Sequence, residues 1–198
     1  IPDLKMPEID KLEELRLSLG VSSLEHTFAN FNRSAGTDTA YQAFYDFAVL
    51  QRPKPLLLCY GGVGSGKTHL LEAVSIELYK KGVFARVLRF FRILNLMKAG
   101  MKEDTLPTYD ELLRALCESP ILLLDDVGAG SSDSKWAYTI FEDIVVQRDA
   151  ESLLTAITTN RDTQELPERV VSRFCDTSKA VLVLNEGADY RRGDLPRA

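Results

Sequence analysis

Residues 61–68 carry the pattern G-x-x-x-x-G-K-T, which is the part of this chain with the most specific chemistry. The pattern follows an apolar run at 55–60 and precedes a segment at 69–80 with helical periodicity, so it lies between a predicted buried strand and a predicted helix. Glycines let the backbone curl until successive N–H groups point at one anion, and the helix N-terminus adds partial positive charge. The pattern therefore predicts a phosphate-binding loop. The alternative is a glycine-rich turn that only starts a helix.

Side chains within this loop have distinct predicted roles. Lys67 is expected to reach the β- and γ-phosphates of a nucleotide, and the Thr68 hydroxyl is expected to bind Mg²⁺. The residues predicted to bind the nucleotide, ATP, are Gly61, Gly62, Val63, Gly64, Ser65, Gly66, Lys67, Thr68 and His69.

Two acidic residues, Asp125 and Asp126, follow a second apolar run at 121–124. The first acid, at the end of a buried strand, is expected to hold Mg²⁺, and the second is expected to orient and polarise an attacking water. Hydrolysis of a nucleotide depends mostly on positioning and charge neutralisation, so this pair after a phosphate loop predicts a hydrolase. A strand that ends in a solvated acidic turn is the alternative.

Two further polar residues lie where a sheet-based nucleotide hydrolase needs them. Asn160 lies two residues after the apolar segment 153–158, and its amide is predicted to bind the attacking water or the γ-phosphate. The alternative is a polar strand end with Asn160 in a turn. Arg173 ends a predicted helix and is expected to reach the site of a neighbouring subunit, where a cation stabilises the transferring phosphoryl group. Capping of its own helix is the alternative for Arg173.

Composition describes an ordinary globular chain of 198 residues, with 45% hydrophobic and 27% charged residues. No apolar run is long enough to span a bilayer, and the three cysteines lack the spacing of a metal site, so we expect a reduced, cytoplasmic protein without zinc and without a membrane partner. His26 and His69 look isolated. A net charge of −5 argues against coating nucleic acid by electrostatics alone. Basic residues between 80 and 92 leave a weak to moderate contact with single-stranded DNA open.

The rest of the chain alternates between apolar runs and helical patterns. Strands are predicted at 55–60, 83–88, 120–125, 153–158 and 179–184, and helices at 37–50, 67–80, 90–99, 109–118, 134–149 and 163–174. Continuous apolar runs are typical of parallel strands that are covered on both faces. The predicted fold is a three-layer α/β sandwich with a mainly parallel five-stranded sheet, and the nucleotide is expected beyond the carboxyl ends of the strands.

Segments outside this alternation are less informative. Ile9, Leu12, Leu15 and Leu19 predict one apolar stripe on a helix ended by Gly20, which is interpreted as a linker or a partner-facing helix. Phe28 and Phe31 either line an adenine pocket or pack in the core, and packing is favoured.

In order and spacing, the motifs resemble those of AAA+ ATPases, and most closely the bacterial replicative helicase loaders of the DnaC/DnaI type. The matching segments are 61–68, 122–128, 158–160 and 172–174, and the segments 27–31, 125–129 and 189–191 fit the loader branch. The resemblance covers about residues 24–192. Transposition helpers of the IstB type and DnaA-like initiators share most of these features.

The resemblance implies an N-terminal extension or linker at 1–23, an AAA+ ATPase domain at 24–192 without an evident helical lid, and a tail at 193–198. It also implies a cytoplasmic, self-associating ATPase that binds the hexameric replicative helicase and loads it onto single-stranded DNA. The alternative is a DnaA-like initiator or transposition-helper adaptor that uses ATP as an assembly switch. A small-molecule phosphotransferase is a third possibility. Two features argue against it: the polar end of the segment 153–158 and the sequence Ser-Arg-Phe at 172–174.

The same resemblance assigns roles to single residues. Lys67 and Thr68 serve ATP and Mg²⁺, and Asp125 serves the metal. Asp126 takes the water-activating place, where the shorter reach of aspartate predicts slow hydrolysis. The sensor is Asn160, and the arginine that acts on a neighbouring subunit is Arg173. Arg191 is implied as a second sensor that contacts phosphate within its own subunit.

Overall fold

The computed structural model describes residues 11–51, 53–101, 106–130 and 134–189. Its strands are β1 (Leu56–Tyr60), β2 (Val87–Arg89), β3 (Ile121–Val127), β4 (Leu154–Thr159) and β5 (Ala180–Leu184). Its helices are α1 (Lys11–Leu19), α2 (Asp38–Val49), α3 (Lys67–Lys80), α4 (Phe90–Gly100), α5 (Tyr109–Glu118), α6 (Lys135–Ala150) and α7 (Glu168–Phe174).

The five strands form one sheet in the order β2-β3-β4-β1-β5, and all four pairings are parallel. Successive side chains of β1 point to opposite faces. Leu56 and Leu58 pack with residues of α4, α5, α6 and α7 on one face, whereas Leu57 and Cys59 pack with residues of α1, α2 and α3 on the other. The predicted α/β fold with a parallel five-stranded sheet is therefore confirmed, and burial on both faces explains its continuous apolar runs.

Two predicted elements have the wrong bounds. The helix predicted at 163–174 is a short 3₁₀ turn, Thr163–Glu165, followed by α7. Leu166 lies between them with φ −90° and ψ 157°, because the ring of Pro167 disfavours helical geometry in the residue before it. The strand predicted at 83–88 is only Val87–Arg89, since the preceding backbone instead bonds to α3 through Val83 and Ala85.

Helix α1 joins the domain through its C-terminal end. Leu19 is buried in the core and Leu15 packs against it, whereas Leu12 is 62% exposed, so the predicted stripe contacts the domain only in part; Ile9 lies outside the described residues. Gly20 ends the helix with φ +69°, and a Cβ there would lie 2.3 Å from the carbonyl oxygen of Val87. No helix within the described ranges has both the length and the apolar character needed to cross a bilayer.

Arg148 of α6 is fully buried and joins three elements of the fold. Its guanidinium donates to the carbonyl oxygens of Leu116 (2.8 Å) and Ser119 (2.7 Å) at the end of α5. It also donates to the carbonyl oxygen of Leu154 (2.7 Å) and to the hydroxyl of Thr155 (2.8 Å) in β4. Burial lowers the pKa of Arg148 to about 10, so the side chain stays charged at neutral pH. These bonds hold α5, α6 and β4 together.

Replacing Arg148 with methionine is expected to lower the free energy of unfolding by about 3 kcal/mol, because several interior acceptors lose their donor at once. Urea denaturation followed by circular dichroism measures this change. Arg114 of α5 is exposed and provides the control, since its replacement by methionine should change stability by less than about 0.5 kcal/mol. Equal effects of the two substitutions would contradict the structural role of Arg148.

Candidate functional site

The loop at 61–68 connects β1 to α3 and has a backbone that its glycines permit. Gly64 and Gly66 have φ +80° and +94°, a region that other residues rarely adopt. A Cβ on Gly66 would also lie 2.7 Å from the ring of Phe31, so the loop and this ring are in close contact. Because α3 begins at Lys67, within the loop, the free N–H groups of its first turn add to the N–H groups of the loop backbone.

Lys67 is almost fully buried, with 5% of its surface exposed. Its ammonium group donates to the carbonyl oxygens of Gly61 (2.8 Å) and Gly62 (2.6 Å) and to the hydroxyl of Ser65 (3.2 Å). The side chain therefore folds back across its own loop, and its charge lies at the centre of the predicted phosphate site.

Thr68 and Asp125, the two predicted Mg²⁺ ligands, lie together although they are far apart in sequence. The Thr68 hydroxyl donates to a carboxylate oxygen of Asp125 at 3.0 Å, and Asp125 has no exposed surface. Burial raises the pKa of Asp125, and this effect is partly offset by a hydrogen bond from Thr158 and by the charge of Arg89. A hydroxyl beside a carboxylate is the oxygen donor set that Mg²⁺ prefers, so these residues fit the predicted metal.

A β-bulge at the end of β3 makes the side chains of Asp125 and Asp126 point in different directions. The pairing of β3 with β4 shifts register between Leu124 and Val127, and Asp126 has φ +61°, a left-handed conformation. Thr158 of β4 supports this geometry: its hydroxyl donates to Asp125 at 2.6 Å and accepts the backbone N–H of Asp126 at 3.0 Å. The bulge thus leaves Asp125 pointing into the protein beside Thr68 and turns Asp126 towards the cavity.

Asn160, the predicted sensor, lies directly beside Asp126. Its amide donates to a carboxylate oxygen of Asp126 at 2.6 Å. The two predicted catalytic side chains therefore meet at the ends of neighbouring parallel strands, as a nucleotide hydrolase requires.

A cavity of about 660 Å³ opens above these residues at the carboxyl ends of the strands. One wall is the loop and the start of α3, the second is formed by Asp126, Thr158 and Asn160, and the third by residues of the segments 22–37 and 187–188. Its volume and its cationic loop suit a nucleoside triphosphate. Residues 63–69 of the predicted nucleotide set line this cavity, whereas Gly61 and Gly62 contribute through the carbonyl bonds to Lys67.

The segments before β1 and after β5 both contact the loop. Phe28 is buried in the core, as favoured from sequence, but Phe31 lines the cavity. Asn185 is fully buried, and its amide donates to the carbonyl oxygen of Ser65 at 3.0 Å. Gly187 lies so close to the same residue that a Cβ would approach its carbonyl oxygen to 2.7 Å. The loop is therefore held from two sides.

The two histidines are not isolated, contrary to the prediction. The rings of His26 and His69 stack with centroids 4.5 Å apart, because the segment that contains His26 packs along the first turns of α3. His26 Nδ1 donates to Glu72 at 2.7 Å, and His69 Nε2 donates to the carbonyl oxygen of Thr27 at 2.9 Å. Burial lowers the pKa of His69, which favours the neutral ring.

Arg173 does not line the cavity of its own subunit. It donates to the carbonyl oxygen of Arg169 one turn earlier (2.7 Å), and its Nε lies 3.3 Å from the carboxylate of Asp149. The contact with its own helix, the alternative considered from sequence, is thus present, and a role on a neighbouring subunit stays a prediction. Arg191 lies outside the described residues.

Sequence reasoning gave no role of their own in this site to three residues: Thr158, Glu72 and Arg89. Arg89 was counted with the basic surface cluster, yet it is 3.3 Å from Asp125. The available signal was positional, since Arg89 directly follows the predicted strand 83–88 and Asp125 ends the predicted strand 120–125, and parallel pairing of the two strands places these residues side by side.

Comparison with known proteins shows which family this chain resembles. Residues 23–178 match the family model described as the bacterial DnaA ATPase domain. The chromosomal replication initiator protein DnaA of Limosilactobacillus fermentum is 30% identical over 157 residues, which are 76% of this chain and 35% of that protein. The chain thus spans about a third of the length of this curated relative.

Solved structures agree on the fold. The replication initiator DnaA bound to AMPPCP and single-stranded DNA superposes with a TM-score of 0.69 at 26% identity, covering 83% of this chain and 50% of that one. The DnaC helicase loader superposes with a TM-score of 0.63 at 24% identity, covering 82% of this chain and 97% of that one, and this likeness concerns the fold alone.

Proposed function

The chain belongs to the bacterial DnaA ATPase domain family of AAA+ proteins, and from this membership we propose that it binds ATP with Mg²⁺ and hydrolyses the nucleotide slowly. One observation carries the proposal: Lys67, Thr68, Asp126 and Asn160 line one cavity, and Asp125 lies buried directly behind it, in contact with the hydroxyl of Thr68. The similar DnaA structure that holds AMPPCP, an analogue of ATP, supports the same ligand.

Each side chain has a step that its position permits. The loop N–H groups and Lys67 would neutralise phosphate charge, and Thr68 and Asp125 would hold Mg²⁺. When bound, the metal neutralises charge that develops on the phosphate oxygens. Asp126 accepts a proton from water, and the amide of Asn160 keeps the carboxylate of Asp126 in place. Aspartate reaches less far than glutamate, so hydrolysis is expected to be slow.

Replacing Lys67 with alanine should weaken ATP binding at least about tenfold, because a buried cation is lost from the phosphate site.

Replacing Asp126 with asparagine should leave ATP binding within about twofold but lower turnover roughly a hundredfold, because the general base is lost. Fluorescent ATP titration and phosphate release measure the two quantities.

Lys80, exposed at the far end of α3, provides the control for the lysine change. Wild-type binding and turnover in Lys67→Ala would refute the nucleotide site, while unchanged turnover in Asp126→Asn would refute the assigned base.

We also propose that hydrolysis depends on self-association through Arg173. Its position supports this: the side chain is a quarter exposed, away from its own cavity, at the end of a short helix. Among the described residues it contacts one backbone carbonyl and the half-buried carboxylate of Asp149, which a stronger anion on a neighbouring subunit can replace.

Arg173→Ala is therefore expected to lower turnover about a hundredfold while leaving ATP affinity within about twofold, since the arginine would act only on the transition state of the adjoining site. Arg169→Ala is the matched control, because Arg169 lies one turn away, is 70% exposed and pairs with Glu142. Turnover per subunit should rise with protein concentration for wild type and for the control. Turnover independent of both Arg173 and concentration would refute this proposal.

In the cell, we propose that the ATP state controls delivery of the hexameric replicative helicase to single-stranded DNA. The motif resemblance to DnaC/DnaI loaders supports this role, and the fold shared with the DnaC loader is compatible with it. A specific observation favours a second candidate, an initiator-like protein that assembles on DNA: the matching family model is that of DnaA. The similar DnaA structure holds single-stranded DNA, and DNA binding enters both candidates.

One experiment separates the two roles. The protein is mixed with the replicative helicase of the same organism and circular single-stranded DNA coated with single-strand-binding protein, with ATP or without nucleotide. A loader should form an ATP-dependent complex with the helicase and stimulate unwinding, and Lys67→Ala should do neither. An initiator-like protein should assemble on the DNA with ATP in the absence of helicase. If the protein neither binds the helicase nor assembles on the DNA, both candidates are refuted.

A further inference from the structure

Arg89 lies between two buried carboxylates at the edge of the cavity. Its guanidinium is 3.3 Å from Asp125 and 3.8 Å from Glu72, and neither acidic side chain has any exposed surface. The arginine itself is one-third exposed and lines the same cavity as Lys67 and Thr68. A partly exposed cation is thus shared by two interior anions.

The position of Arg89 follows from strand register. Arg89 is the last residue of β2 and pairs in parallel register with Asp125 of β3, so both side chains project from the same face of the sheet. The same pairing, Val87 with Leu123 and Leu88 with Leu124, fixes the edge strand along its whole length. The register of the sheet therefore places Arg89 within reach of Asp125.

We propose that Arg89 competes with the divalent cation for Asp125, so that the protein binds Mg²⁺ weakly until a nucleotide supplies further ligands. The inference rests on the proposed function, since Asp125 is the predicted metal ligand. A positive charge 3.3 Å from the carboxylate both occupies one of its faces and repels a second cation. Nucleotide phosphates add negative charge and ligands, which shift the balance towards the metal.

Glu72 gives the displaced arginine a second partner. Its carboxylate already accepts the backbone N–H and the hydroxyl of Ser22, both at 2.9 Å, and a hydrogen bond from His26 at 2.7 Å. A buried carboxylate that gains a closer arginine stays compensated, so moving Arg89 from Asp125 to Glu72 leaves no charge unpaired in the interior. Metal binding would thereby tighten the contacts that hold the segment at 22–26 against α3.

The test measures binding of Mn²⁺ alone, followed by the electron paramagnetic resonance signal of the free ion, without nucleotide at pH 7.5. Arg89→Gln is expected to bind Mn²⁺ at least about tenfold more tightly than wild type, because the competing charge is gone. Arg89→Lys keeps a charge and should stay within about threefold of wild type. Glu72→Gln removes the alternative partner, holds Arg89 at Asp125, and should weaken Mn²⁺ binding at least about threefold.

Arg92→Gln is the matched control, because Arg92 lies one turn away in α4, is exposed and carries the same charge. It should bind Mn²⁺ within about twofold of wild type, which separates the local effect from a change in net charge. Unchanged or weaker Mn²⁺ binding by Arg89→Gln, or equal tightening by Arg92→Gln, would overturn the competition. If Arg89→Gln does not fold, the weaker Mn²⁺ binding expected for Glu72→Gln is the test. Mn²⁺ binding by Glu72→Gln that is as tight as that of wild type would then overturn the inference.

Failure of this inference is distinguishable from failure of the proposed function. Because ATP itself binds Mn²⁺ and removes the free-ion signal, joint binding is measured instead by titrating the protein with fluorescent ATP in excess Mn²⁺, and ATP binding alone is measured in EDTA. If wild type binds Mn²⁺ with ATP but Arg89→Gln gains nothing without it, the competition alone is refuted. If neither ATP nor Mn²⁺ with ATP binds to the wild type, the nucleotide site itself is refuted.

Discussion

The hydroxyl of Thr158 contacts both residues of the acidic pair, and the geometry of the site depends on it. It donates to the buried carboxylate of Asp125 and accepts the backbone N–H of Asp126, so one side chain of β4 satisfies both residues of the bulge. Without it, a buried carboxylate would lose its shortest hydrogen bond, and a left-handed aspartate would lose its backbone partner. The next residue continues this support, because the Thr159 hydroxyl donates to the carbonyl oxygen of Val127 at 2.7 Å. Two threonines thus replace the regular ladder where the strand must bend.

The strained backbone of the site is concentrated where ligands would bind, and regular packing surrounds it. Asp126 has positive φ, which costs free energy that only a rigid scaffold can sustain, whereas the loop glycines adopt positive φ without that cost. The scaffold here is the set of short parallel strands packed on both faces, together with Arg148, which holds the first residue of β4 by a hydrogen bond to its carbonyl oxygen. The position of Thr158 therefore depends on contacts made at the opposite end of its own strand.

The sequence predicted the elements better than the contacts between them. Apolar runs and the glycine-rich pattern located the strands, the loop and the acidic pair, since these signals are local in the chain. The break at Pro167 was also local and was missed although proline signals it directly. The roles of Thr158, Glu72 and Arg89 could not be read in the same way, because each arises from a neighbouring strand or segment. The stack of His26 on His69 likewise depends on how the segment before β1 crosses α3, which no periodicity encodes.

Both ends of the described chain bear on the phosphate loop, and this arrangement has a physical consequence. The segment at 22–31 contacts α3 through Glu72 and His69 and contacts the loop through Phe31, while Asn185 and Gly187 hold Ser65 from the other side. The loop glycines lack side chains that could absorb a displacement, so any change in loop geometry must pass to these close neighbours. Because interiors are densely packed, such neighbours move as units rather than deform. A ligand on the loop would therefore act first on the segments at 22–31 and 185–187.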